Sequence, residues 1–288
     1  MSCRIYVAYH QPGVYVRSEV FRPVCVGNRK NEFPSDFIRD DEGDNIAEQN
    51  DKYNELTVLY RVWKDESLHA DYIGLAHYRR YLGLGLSETH YLYRSTERAM
   101  RKVRRTEKCW RLLPSDVDVV APYPAYYHSV REYYGWAHDK KDIDLLLALI
   151  GTYYPEYLAC AEKYFDGQEN YLCNLTVMKK EVFMRYAAWI FDLLEKFLSI
   201  KTDADRLYIS ERLTGIFIKK MEEEGKKVIF APIVSVEPKD DFKRAARKIR
   251  TSKEKGKQKW KPMIHYFIPT FLWRRYYRSI YRRKGVVV

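Results

Sequence analysis

Residues 71–82, DYIGLAHYRRYL, constrain the fold of this chain more than any other stretch. Tyr72–Ala76 is an apolar run long enough for one buried strand and too short for a helix. It opens directly into His77, Tyr78, Arg79, Arg80 and Tyr81. Ligands of open α/β sheets bind beyond the carboxyl ends of the strands, so a buried strand ending in polar side chains marks a candidate site. The two guanidinium groups are forks of donors suited to phosphate or carboxylate, and they suit salt bridges on a rim equally well.

The flanking sequence repeats the same grammar. Ile5–Tyr9 reads as a first buried strand, left by His10, Gln11 and Pro12, and Pro23–Val26 as a second that stops at Gly27 and Asn28. Residues 31–50 are polar and read as loop. Lys52–Lys64 has helical spacing, with Leu56, Leu59, Tyr60 and Trp63 on one face. Ser87–Leu113 reads as a helix with a basic surface, and Val117–Ala121 as a strand closed by Pro122 and Pro124. Asp142–Ile150 reads as an apolar helix with acids in its first turn, where the dipole favours them. Tyr171–Met178 is strand-like and Lys180–Leu198 is amphipathic. A later helix starts with Ser210 or a neighbour as its cap, and Val228–Pro232 is the last strand. Strands alternating with helices predict an α/β fold, a mostly parallel sheet flanked by helices.

Composition narrows the class. The chain has 288 residues, enough for one large α/β domain or two modest ones. Its 26 tyrosines offer stacking faces with a polar handle, suited to sugars and bases as well as to a core. The five cysteines are an odd count without a C-x-x-C pair, which argues against a disulfide framework or zinc site and for a reducing compartment. No signal peptide is expected, and no apolar run approaches the ~20 residues of a spanning helix. The net charge of +12 is local: Lys243–Lys284 holds sixteen Lys/Arg against the single acid Glu254, which leaves 35 bases and 38 acids elsewhere. The chain therefore divides into a near-neutral body, residues 1–238, and a basic tail, residues 239–288.

Six segments carry a resemblance: IYVAYHQP (5–12), DNIAEQNDKYNELTVLYRVWK (44–64), DYIGLAHYRRYL (71–82), DVDVVAPYP (116–124), NLTVMKKEVFMRYAAWIFDLL (174–194) and ISERLTG (209–215). Together they resemble the HYRRY-motif glycosyltransferase-like family of bacterial capsule, exopolysaccharide and O-antigen gene clusters. The resemblance implies a GT-A-like (Rossmann-like) fold over residues 3–235. It also implies transfer of a hexose from a nucleotide sugar to a lipid-linked glycan. By analogy the nucleotide is UDP and the sugar galactose, in pyranose or furanose form.

GT-A enzymes generally place an Asp-x-Asp pair at the end of a central strand, where it holds a divalent metal on the donor diphosphate. Asp116 and Asp118 have that spacing, but their apolar run follows them, so they enter a strand instead of leaving one. The stretch in the right place is His77–Arg80. Arg79 and Arg80 would then balance the diphosphate and His77 orient it, with no metal required and Asp116 and Asp118 as fallback ligands. If transfer inverts the anomeric centre, Glu211, beside Arg212 at a helix start, is the expected base for the acceptor hydroxyl; a retaining mechanism needs no such base, and a capping acid is its competing role. Expected nucleotide or sugar contacts are His10, Gly27, Asp44, Asn45, Tyr78, His138, Asn174 and Arg212. Caps, turns and solvated loops compete for several of these.

In the tail, Met263–Tyr281 mixes arginines with large apolar residues, interrupted by Pro269. Trp273, Tyr276, Tyr277 and Tyr281 are types that settle at headgroup depth, and each nearby Lys/Arg adds about 1 kcal/mol of attraction to anionic lipid. The expectation is a basic amphipathic helical tail on a cytoplasmic enzyme, peripheral on the inner face of the membrane. Competing readings are a non-catalytic glycan or nucleotide-sugar binding subunit, a protein-docking tail, and nucleic-acid binding through the tail. A near-neutral body disfavours the last. Oligomeric state is left open.

Overall fold

The computed structural model describes residues 1–237 except 203 and 205, together with Ser279. The readings placed on the basic tail fall outside the described residues. Strands in chain order are β1 (Cys3–Tyr9), β2 (Phe21–Cys25), β3 (Ile38–Arg39), β4 (Tyr72–His77), β5 (Arg80–Leu82), β6 (His90–Tyr93), β7 (Val119–Pro122), β8 (Ala125–Tyr126), β9 (Glu169–Asn170), β10 (Thr176–Lys179), β11 (Val228–Ala231) and β12 (Ile233–Val236). The α-helices are α1 (Asn50–Tyr53), α2 (Leu56–Lys64), α3 (Thr96–Arg104), α4 (Glu107–Arg111), α5 (Val130–Gly135), α6 (Lys141–Tyr153), α7 (Pro155–Asp166), α8 (Lys180–Ile200) and α9 (Ser210–Glu223).

The main sheet runs β11-β7-β10-β4-β1-β2-β3. β1 pairs in parallel with β2 and β4, so Tyr9 stands beside Cys25 and Ala8 beside His77, and the three strands end at one edge. β10 runs antiparallel to both β4 and β7. Its amino end therefore comes to the edge where β4 finishes. Alternate residues of β1 and β4 feed two cores. Tyr6, Ala8, Ile73 and Leu75 pack under α2 and α5–α9, whereas Ile5, Val7, Tyr72 and Ala76 pack toward β5, β6, β12, α3 and α4. A sheet covered on both faces explains why these strands read as continuous apolar runs. Much of the tyrosine count is core: Tyr6, Tyr9, Tyr72 and Tyr81 are fully buried. All five cysteines are free and dispersed. No helix among the described residues is long and apolar enough to cross a membrane.

Several expected elements change. Residues 87–113 are not one helix: His90–Tyr93 forms β6 beside β12, and Ser95 then caps α3 through the Arg98 N–H. The expected strand at 171–178 shrinks to β10, because Cys173 and Asn174 turn the chain with φ of 71° and 49°. The helix over 52–64 breaks at Asn54, φ 52°, into α1 and α2. Ile209, the neighbour of Ser210, takes the cap position of α9 without a side-chain cap bond, and the Ser210 hydroxyl accepts from Asn174. Pro155 opens α7, and β12 adds a strand after Val228–Pro232; periodicity revealed neither.

Gly74 sits mid-β4 because the neighbouring strand leaves no room. A Cβ there would lie 2.5 Å from the Val177 side chain and 2.9 Å from the Thr176 carbonyl oxygen. Gly74→Ala is expected to lower stability by about 1–3 kcal/mol, read as a shift of the urea midpoint. An unchanged midpoint would contradict this packing.

Candidate functional site

A cleft of about 940 Å³ opens where β1, β2 and β4 end. Its lining includes His10–Val14 after β1, Val26–Asn28 after β2, His77–Arg79 after β4, Asn50, Asp51, Asn54 and Glu55 around α1, and Arg206. Parallel strand order predicts a cleft at this edge, and the site is built by the backbone before any side chain is considered.

The turn after β4 is held from beneath. Tyr81 is buried and donates its hydroxyl to the Tyr78 carbonyl at 3.1 Å, and its oxygen lies 2.9 Å from the buried Tyr9 hydroxyl. The Val236 N–H reaches the Arg79 carbonyl at 2.9 Å. These contacts separate the two arginines. Arg79 lines the cleft with its guanidinium 5.3 Å from the Tyr78 ring centre. Arg80 is not among the residues that line the cleft; it pairs with the buried Glu237 and donates to the Arg79 carbonyl at 2.9 Å. Of the two guanidiniums expected to face a ligand, Arg79 lines the cleft and Arg80 is paired with Glu237.

His77 is neutral. Burial is the main cause that pushes its pKa well below the ordinary value, and Arg80, Arg79 and His10 add to it. The Arg79 N–H points at Nδ1 at 3.4 Å, an acceptor role that leaves the proton on Nε2. His77 thus offers an N–H donor without a charge. His10 stacks 6.3 Å from it and meets Tyr78 edge-on at 4.6 Å. Gly27 follows β2 with φ 77° and also lines the cleft.

The remaining expected residues divide. Asn174 lies beside the cleft, but its amide is spent on protein: Nδ2 donates to Glu55 at 3.0 Å and Ser210 at 3.2 Å, and Oδ1 accepts from Thr214 at 2.8 Å. Glu211 pairs with Arg212, whose buried guanidinium lies 5.9 and 5.8 Å from the Tyr133 and Tyr134 rings. The carboxylate expected to act as base is thus held by its neighbour. His138 stacks on Tyr208 at 4.4 Å, Asp44 lies near Tyr60 and Lys64, and Asn45 caps the turn at Ala47. None of these three lines the cleft.

The fallback metal ligands do not fit. Asp116 pairs with Lys227 at 2.6 Å and Asp118 accepts the Lys227 N–H at 2.9 Å. β7 runs in the same direction as β4, so these acids precede it at the edge opposite the cleft. Among the described residues no three His, Cys, Asp or Glu side chains form a metal-binding group.

Glu55 is the residue that sequence reasoning missed. The break at Asn54 turns it out of a helical run and into the cleft at the start of α2. Burial raises its pKa to about 7, opposed by its own N–H and Asn174 and reinforced by the negative Glu211. The available signal was the polar pair Asn54-Glu55 preceding the apolar stripe of α2.

The chain belongs to the family described as Domain of unknown function (DUF4422), which matches residues 4–223. Its structure is similar to that of the bifunctional glycosyltransferase WbbM in the apo state, with a TM-score of 0.67 and 27% identity. The similarity covers 82% of this chain and 45% of the WbbM chain, so this chain spans less than half of that enzyme. No curated protein matches. A mostly parallel sheet flanked by helices is thus shared with a glycosyltransferase, as the resemblance implied.

A raised carboxylate pKa has a definite sign in stability. The folded state holds the Glu55 proton more tightly than the unfolded chain, so this group costs stability as pH rises from the ordinary value of 4.5 through about 7. Glu55→Gln is expected to be more stable than wild type at pH 8 by about 1–3 kcal/mol and nearly equal at pH 4. Chemical unfolding at both pH values checks this; equal stability at pH 8 would contradict it.

Proposed function

We propose that this chain is a glycosyltransferase that binds a nucleotide sugar in the cleft beyond β1, β2 and β4. The observation that carries the reading is a cationic and a neutral donor, Arg79 and His77, side by side at that strand edge. A diphosphate leaving group gains negative charge as the sugar departs, and prearranged donors stabilise that charge. Arg79 supplies it, His77 adds an N–H, and the nucleoside lies toward His10 and Gly27. Similarity to WbbM supports sugar transfer as the reaction class.

The finer reading follows from the resemblance and the tail. The donor is a UDP-hexose, with galactose the first sugar to try. The acceptor is a lipid-linked glycan at the inner membrane face, where the basic, aromatic stretch Lys243–Lys284 holds the enzyme against anionic lipid. Diphosphate charge is met by protein side chains, so turnover is expected to survive EDTA.

Nucleotide sugars should raise the melting temperature, by the equivalent of about 2.7 kcal/mol at 100 times Kd. Arg79→Ala should weaken UDP binding about 10- to 100-fold, the worth of a charged hydrogen bond. Calorimetric titration checks both, and unchanged UDP affinity in Arg79→Ala would count against the reading. Loss of turnover in EDTA would return a metal to the mechanism. The full chain should float with anionic liposomes and a version ending at Asp240 should not; equal flotation would remove the membrane role of the tail.

A further inference from the structure

We infer that Glu55 is the proton acceptor for the hydroxyl that attacks the sugar, with Asn174 as its positioning residue. This rests on the donor-cleft reading above and adds the residue that would complete its chemistry.

Three observations converge on this carboxylate. It lines the same cleft as Arg79 and His77. Among the described residues the non-glycine positions with positive φ are Asn54, Cys173 and Asn174, and each lies at or next to a partner in the Glu55–Asn174 hydrogen bond. Both segments leave ordinary backbone geometry where they meet, and strain of this kind persists when the surroundings enforce it. Finally, Asn174 is fixed by a buried polar chain: Thr214 donates to its Oδ1 at 2.8 Å, and Thr214 in turn meets the Tyr186 hydroxyl at 2.7 Å. With its Oδ1 occupied as acceptor, the amide can present only N–H to Glu55.

The groups facing Glu55 leave it able to take a proton. Glu211 on α9 is the acid that acts on it, and it is paired with Arg212. Cys173 before β10 has its thiol pushed up to about 12 by burial, and Tyr186 on α8 stays protonated as well. Asp51, His77, Arg79 and Arg206 share the cleft. Among the described residues no lysine or arginine pairs with Glu55, so its charge is unspent.

The step balances without a further reactant. The acceptor oxygen forms a bond to the anomeric carbon as the bond from that carbon to the phosphate oxygen breaks. That electron pair leaves with the nucleoside diphosphate, and the acceptor proton passes to Glu55. Direct displacement inverts the anomeric centre.

The test compares wild type, Glu55→Gln and Asn174→Ala, using the nucleotide sugar that wild type turns over. Glu55→Gln should lose at least about 100-fold in kcat while its donor KM stays within about threefold. The acidic limb of the wild-type kcat/KM profile should lie near pH 7. Asn174→Ala removes a hydrogen bond that favours the ionised carboxylate, so that limb should move to higher pH, which a purely structural loss would not do. Folding is followed by chemical unfolding, and donor affinity by UDP titration of each variant. A Glu55→Gln enzyme within tenfold of wild-type kcat, a loss confined to donor affinity, an unmoved limb in Asn174→Ala, or a retained anomeric configuration would each overturn the assignment. If wild type binds no nucleotide, the donor-cleft reading fails instead.

Discussion

The reversed strand β10 is the constraint on which the site depends. Every other strand of the central path runs one way, and a seventh parallel strand would leave its carboxyl end, not its start, at the cleft. Running antiparallel, β10 begins where β4 finishes and delivers Asn174 to the edge that already holds His77 and Arg79. The tight fit between Gly74 and Val177 keeps β10 against β4. A packing requirement in the middle of the sheet thus sets the position of an amide at its rim.

The second feature is a division of charge. Two adjacent arginines at the end of a buried strand would repel each other if both faced the same ligand without compensation. The β4–β5 turn sends Arg80 to the buried Glu237 and leaves Arg79 in the cleft. The same arginines, with burial, keep His77 neutral, so cationic and neutral donors stand together. In the same cleft, Glu55 lies in buried surroundings that hold its proton more tightly than water does. A carboxyl group with a raised pKa and a guanidinium thus line one opening.

Much of this was legible in the sequence, because a sheet covered on both faces must write its strands as short apolar runs. The runs ending at Tyr9, Val26 and Ala76 placed the cleft, and HYRR marked its polar edge. The division of labour between Arg79 and Arg80 was not legible, since it is set by Glu237, 157 residues further along. Glu55 was hidden for a different reason. Helical spacing in Lys52–Lys64 masks the break at Asn54, which asparagine tolerates better than most residues. Likewise, Glu211 looked unencumbered by its helix-start position, and the buried guanidinium of Arg212 beside it became visible only in three dimensions.

A crystal structure of this chain with UDP bound tests the division of charge in the cleft directly. The diphosphate is expected within hydrogen-bond distance of the Arg79 guanidinium and the His77 Nε2, with Glu55 facing the site that the sugar would occupy. Diphosphate bound at Asp116 and Asp118, or held by Arg80 with Arg79 turned away, would contradict it.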